Sequence, residues 1–224
     1  MRVRKILPWV GATLLLMLIV GVPLLHGRSQ YEQNRRLRVV TDGRVYRSGQ
    51  LYGDGFRQAM QTYGIKTIVN LQEEAEQIDP KIPRGYFRRE KECESEVCAE
   101  QGVRFVNLAG GVMDSDGTGG RPKLIDDFLA VFDNDDNYPI LFHCKAGLHR
   151  TGWMTAIYRM EYEGWSRTRA LDELRANGFG TFKSTSDNDY IQRYLFDFVP
   201  GLRKDGYVWP KHRAPRKTAQ EANR

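Results

Sequence analysis

The residues best suited to chemistry lie in one run, His143-Cys144-Lys145-Ala146-Gly147-Leu148-His149-Arg150-Thr151-Gly152. Cys144 and Arg150 stand six positions apart, between an apolar stretch that reads as a strand and one that reads as a helix. A loop of that length can wrap a phosphate-sized anion, with its N–H groups converging on the oxygens at a helix N-terminus. The same donors and the positive helix end favour a thiolate at Cys144. Arg150 offers a planar fork to two oxygens, which a lysine could not. Thr151 adds a hydroxyl, and Gly147 permits close backbone approach. The residues that would hold the anion are Lys145, Ala146, Gly147, Leu148, His149, Arg150 and Thr151.

Such a loop needs a strand behind it and a helix ahead. Tyr138–Phe142 supplies the strand, and Arg150–Glu163 the helix. Upstream, the β-branched run Ile65–Leu71 and the segments Val45–Ser48 and Val103–Leu108 also read as strands. Helical patterns cover Gly55–Tyr63, ended by Gly64, the segment from Pro122 to near Asp133, Ser166–Ala176 and Asp187–Val199. Residues 72–101 read as a charged surface loop plus a helix, and Gly110–Gly120 as a glycine-rich loop. Strands alternating with helices predict an α/β domain, its central mostly parallel sheet flanked by helices. A phosphate site at the carboxyl end of a strand suits that architecture.

The ten-residue run resembles the signature of the cysteine-dependent tyrosine and dual-specificity phosphatases: His-Cys, five residues, Arg, Ser or Thr, and Gly. Val45–Gln50 and Gly64–Leu71 also look like the opening of a dual-specificity domain. The resemblance covers about residues 44–200. It implies a dual-specificity phosphatase-like fold and hydrolysis of phosphate monoesters through a cysteinyl-phosphate. Cys144 would be the nucleophile, with Arg150 and the loop amides stabilising the equatorial oxygens. His143 would tune the thiolate through a hydrogen bond to the loop backbone.

The family also implies an aspartate on a loop that protonates the leaving oxygen. Met113–Pro122 is the place for it, with Asp116 before Gly117 preferred over Asp114. Lys145 and His149 resemble the atypical plant and fungal group, some of which act on inositol polyphosphates and pyrophosphates. Leu148 departs from that group, which carries a basic residue there, whereas Ser186–Ile191 resembles it again. Phosphotyrosine or phosphoserine/threonine proteins are the first substrate expectation, and inositol phosphates or phosphoinositide headgroups the alternative. A silent phosphate-binding module tethered to a membrane is the reading from another class. No metal or organic cofactor is implied.

Charge divides the chain unevenly. Residues 1–40 carry a net +6 and residues 201–224 a net +5, leaving 41–200 at −5. An acidic central domain between basic ends suits a membrane surface or a pair of solubilising tails rather than a nucleic-acid groove. Ile6–Leu25 is twenty residues without a charge, preceded by Arg2, Arg4 and Lys5. It is long enough for a transmembrane helix, and no Ala-x-Ala-like site follows it. The expected organisation is a basic flank (1–5), a single membrane anchor (6–25), a basic juxtamembrane arm (26–43), the catalytic domain (44–200) and a basic tail (201–224). Arg28, Arg35, Arg36 and Arg38 compete with the basic N-terminus, so the charge rule leaves the side of the membrane open. Cys93 and Cys98 suit two unlinked thiols on an acidic helix, or a bond outside the cytoplasm.

Overall fold

The computed structural model describes residues 13, 15–72, 94–108, 122–180 and 190–202. Its centre is a five-stranded sheet built from β1 (Arg38–Thr41), β2 (Val45–Gly49), β3 (Thr67–Asn70), β4 (Arg104–Asn107) and β5 (Ile140–Cys144). The strand order is β1-β2-β5-β3-β4. β5 lies in the middle, parallel to β2 and β3, and β4 is parallel to β3. β1 alone runs antiparallel, against β2. The sheet is therefore mixed, with its parallel part where the sequence places it.

Helices cover both faces. α1 (Val22–Asn34) precedes the sheet, followed by α2 (Gly53–Tyr63), α3 (Glu94–Glu100), α4 (Lys123–Asp133), α5 (His149–Tyr162), α6 (Arg167–Ala176) and α7 (Tyr190–Asp197). Successive strand side chains point to opposite faces, and the core divides accordingly. Val45, Val69, Ile140 and Phe142 pack with Phe128 and Phe132 of α4 and with Trp153 and Ile157 of α5. Tyr46, Ile68 and Leu141 pack on the other face with Phe56 and Met60 of α2 and Cys98 of α3. α5 is buried from Thr151 through Met160, as a helix between the sheet and further helices must be. α2 stops where Gly64 adopts a left-handed φ of +58° and donates to Gln61 and Met60 carbonyls.

Charge assigns residues 26–43 to an arm ahead of the domain, but the structure draws residues 35–41 into it. Val40 is buried, and its carbonyl accepts from Arg159 Nη1 at 2.8 Å. Arg159 also forks onto Glu173 at 3.0 and 2.8 Å and reaches Glu163 at 2.6 Å. Burial alone would lower the Arg159 pKa, but the hydrogen bonds and charge of Glu173 and Glu163 raise it on balance. This cation fastens the edge strand to α5 and α6.

Of the expected span 6–25, residues 6–12 and 14 lie outside the described residues. The remainder is helical, with a π-helical turn at Met17–Gly21 leading into α1. Its Leu15, Leu16, Met17, Leu18, Ile19, Leu24 and Leu25 side chains are exposed. Among the described residues, no helix is long and apolar enough to cross a membrane.

Candidate active site

Cys144 ends β5, residues 145–148 turn, and α5 begins at His149. Cys144 belongs to the core face formed with α4 and α5 and is buried. His143, one residue earlier, points to the opposite face, where Phe56 packs edge-on against its ring.

The loop closes on β2, and glycine is required for that closure. Gly147 has φ +71°, and a Cβ there would meet Gly49 N at 2.6 Å and Ser48 C at 2.8 Å. Three successive loop carbonyls bond to groups behind the loop. Lys145 O accepts from Gln50 N at 3.2 Å, Ala146 O from Arg36 Nη1 at 2.9 Å, and Gly147 O from Arg47 Nη2 at 2.8 Å. In a trans peptide the next N–H points the opposite way. The N–H groups of Ala146, Gly147 and Leu148 therefore turn away from those partners, and none donates to a described residue. The first N–H groups of α5 add donors that a helix leaves unpaired. Together they can receive a tetrahedral oxyanion.

Arg150 is half-buried and donates through Nη1 to Leu71 O at 2.7 Å, just beyond β3. One arm of its fork is thereby fixed. The Thr151 hydroxyl is buried and reaches Ser48 O at 3.4 Å, bracing the helix start against β2. Lys145 is exposed, and Leu148 is buried. The His149 ring packs edge-on against Phe179. Its pKa is lowered, mainly by burial and then by the neighbouring Arg150 charge.

One expectation meets a different outcome. The His143 side chain makes no hydrogen bond to the loop: Nδ1 has no described partner, and Nε2 lies 3.1 Å from Glu94 Oε2 without the alignment of a hydrogen bond. The cause is strand alternation, which sends His143 away from the face that Cys144 occupies. Glu94 gathers the polar groups on that side, accepting from Gln50 Nε2 and, at 2.9 Å, from Asn70 Nδ2. Cys98 is buried and unbonded, while Cys93 lies outside the described residues. Asp114 and Asp116 also lie outside them.

Sequence reasoning passed over Arg36, Arg47 and Gln50. Arg36 is hidden in a basic run that reads as solvated charge. Arg47 carried a usable signal: a charged side chain within a strand that otherwise reads as buried.

A model of the tyrosine phosphatase family matches residues 27–162, which include β1 and the whole loop. The chain belongs to this family. Dual specificity protein phosphatase TpbA of Pseudomonas aeruginosa is 48% identical over 42 residues, 19% of each chain. Inositol diphosphatase SIW14 of Saccharomyces cerevisiae is 29% identical over 108 residues, 45% of this chain and 38% of that one. The matched stretches thus span less than two fifths of these relatives. The core catalytic domain of the yeast PP-IP phosphatase SIW14 shares the fold, with a TM-score of 0.52 and 21% identity over 73% of this chain and 85% of that one. The family match begins ahead of Val45, in agreement with the place of residues 35–41 in the fold.

Proposed function

We propose that this chain hydrolyses phosphate monoesters through a cysteinyl-phosphate intermediate. The observation that carries the reading is the loop itself: a buried cysteine at the end of β5, then a turn whose carbonyls are held from behind and whose amides donate to no described residue, then Arg150 in the first turn of α5. The Cys144 sulfur attacks phosphorus in line, and the alcohol or phenol oxygen leaves as its bond breaks. Asp116 gives that oxygen a proton. Water then attacks the phosphocysteine and gives its proton to the Asp116 carboxylate as the S–P bond breaks, releasing inorganic phosphate and restoring the sulfur and the acid. Charge on the equatorial oxygens is met by the loop amides and by Arg150, an electrostatic task for donors already in place.

Phosphorylated tyrosine, serine or threonine in proteins is the substrate we infer first, supported by the similarity to a dual specificity protein phosphatase. Inositol phosphates form a second reading, favoured by the longer stretch similar to an inositol diphosphatase and by Lys145 beside the loop. Phosphate release from phosphotyrosine peptide, phosphothreonine peptide and inositol polyphosphate at equal concentration separates them. Cysteine-dependent release favouring the inositol compound would overturn the protein-substrate reading. No release from any of them would favour the silent docking module. For the acid, Asp116→Asn is expected to cost about 10²–10⁴-fold in rate on a poor leaving group. A larger loss from Asp114→Asn would transfer the role to that residue.

We also propose that residues 6–25 anchor the chain in a bilayer as a single pass. The exposed leucines of the helix ahead of α1 support this, since so much apolar surface is costly in water. Retention of the full chain in the membrane pellet after alkaline carbonate washing is the expected result, and release into the wash would oppose it.

A further inference from the structure

Beyond Cys144 and Arg150, two arginines touch the loop from behind. Arg47 is the third residue of β2 and is 4% exposed. Its Nη2 donates to Gly147 O, while its Nη1 is buried without a described partner. It pairs across the sheet with Phe142, which places it on the same face as Cys144, two residues further along β5. Burial pulls its pKa down to about 10, while the Glu173 and Cys144 charges raise it, so the guanidinium is cationic at neutral pH.

Arg36 reaches the preceding carbonyl, that of Ala146, from a segment 110 residues earlier in the chain. It is the second residue after α1 and holds a left-handed φ of +56°, alone among the described non-glycine residues. That backbone is unfavourable for a side chain with a Cβ. The neighbouring Arg35 carbonyl accepts from Gly49 N at 2.7 Å, tying the same turn to the end of β2. The turn after α1 therefore rests against both walls of the site, the loop and the strand it packs on.

We propose that Arg36 and Arg47 are positioning residues that keep the phosphate loop's amides aimed at the oxyanion by holding the Ala146 and Gly147 carbonyls. The role rests on the phosphatase reading above, and each guanidinium acts through the loop carbonyl it holds. A carbonyl released from either arginine could rotate its peptide, and the following N–H would leave the anion. Arg47 carries the larger share because its bond is buried, where a lost charged partner costs most.

The test is calorimetric titration of inorganic phosphate into the full chain in detergent, with unfolding midpoints measured in parallel. Arg47→Met is expected to weaken phosphate binding about tenfold or more, the scale of one hydrogen bond to a charged group. Arg36→Gly is expected to weaken it by about threefold while leaving the unfolding midpoint within error, because glycine accepts the backbone that arginine strains to adopt. Arg36→Lys, which keeps the charge, should recover part of the loss. Folded variants that bind phosphate like the wild type would overturn the proposal, as would a lowered midpoint with unchanged affinity. If Arg47→Met does not fold, Arg36→Gly decides alone. Wild-type phosphate binding without Cys144-dependent turnover would instead sink the phosphatase reading and leave the positioning role intact.

Discussion

Cys144 and Cys98 are both buried, on opposite faces of one sheet, and their surroundings differ in almost every other respect. Cys98 lies on the inner side of α3, one turn after Glu94, among Tyr46, Phe56 and Leu141. Burial and then the Glu94 charge push its thiol up to about 12, so it stays protonated and inert. Cys144 ends a strand just before a turn whose amides donate to no described residue and a helix start, with Arg47 buried on the same face of the sheet. Burial alone thus says nothing of reactivity. What separates the two sulfurs is the sign of the nearby charge, the Glu94 carboxylate for Cys98 and the Arg47 guanidinium for Cys144.

The sharpest way to break this contrast is to remove each sulfur in turn. Cys144→Ser is expected to lower phosphate release by about 10⁴-fold or more. Cys98→Ala should leave turnover unchanged and cost about 1 kcal/mol of stability, read from denaturant midpoints. Iodoacetamide followed by peptide mapping should label Cys144 and spare Cys98. Labelling at Cys98 in the native chain would mean that its burial is not as described.

A smaller effect tests whether the loop's shape, rather than the presence of its residues, makes Cys144 different. Gly147→Ala retains every functional group but places a Cβ 2.6 Å from Gly49 N on a backbone with φ +71°. Turnover is expected to fall by about 10²-fold, as for a displacement of reacting groups by an ångström. Wild-type turnover in this variant would show that the loop tolerates the shift.

The smallest effect concerns pH. The lowered pKa of His149 means that the folded chain holds it neutral more readily than the unfolded chain does. The unfolded state therefore binds more protons as pH falls below the ordinary histidine range of about 6.5. The stability from this residue is present above that range and is lost as pH drops through it towards the folded value. His149→Gln should flatten the midpoint-versus-pH curve there, and an unchanged slope would rule His149 out as its source.

Much of this was legible in the sequence. The strands β2 to β5 and most of the helices follow from apolar periodicity and from Gly64, Pro122 and Ser166 as punctuation. The loop was legible because its residue types are local and contiguous. β1 was not, since Arg38 and Val39 are both exposed and Val40 is the lone buried residue of the four. With one inward side chain there is no period to detect, and the surrounding arginines suggest a solvated arm. The His143 orientation was equally hidden, because it depends on which face of β5 packs against α5. The contacts of Arg36 and Arg47 join a guanidinium to a carbonyl about 100 residues away or more. Nothing in the identity of the loop residues reveals which side chains hold their backbone.

The contact between Gly49 and Gly147 bears on how this site diverges and how others like it can be found. A side chain at 147 would strike backbone atoms of Ser48 and Gly49, so no change of side chain on β2 could make room for it. A side chain at 49 would in turn press on the Ala146 backbone at 3.1 Å. The pair can drift only together, by moving main chain. Arg47-Ser48-Gly49 is thus the second half of a signature whose first half is His143–Gly152, separated from it by more than ninety residues. A chain with the cysteine and arginine spacing but a bulky residue at either glycine would carry the letters of the motif without its cradle.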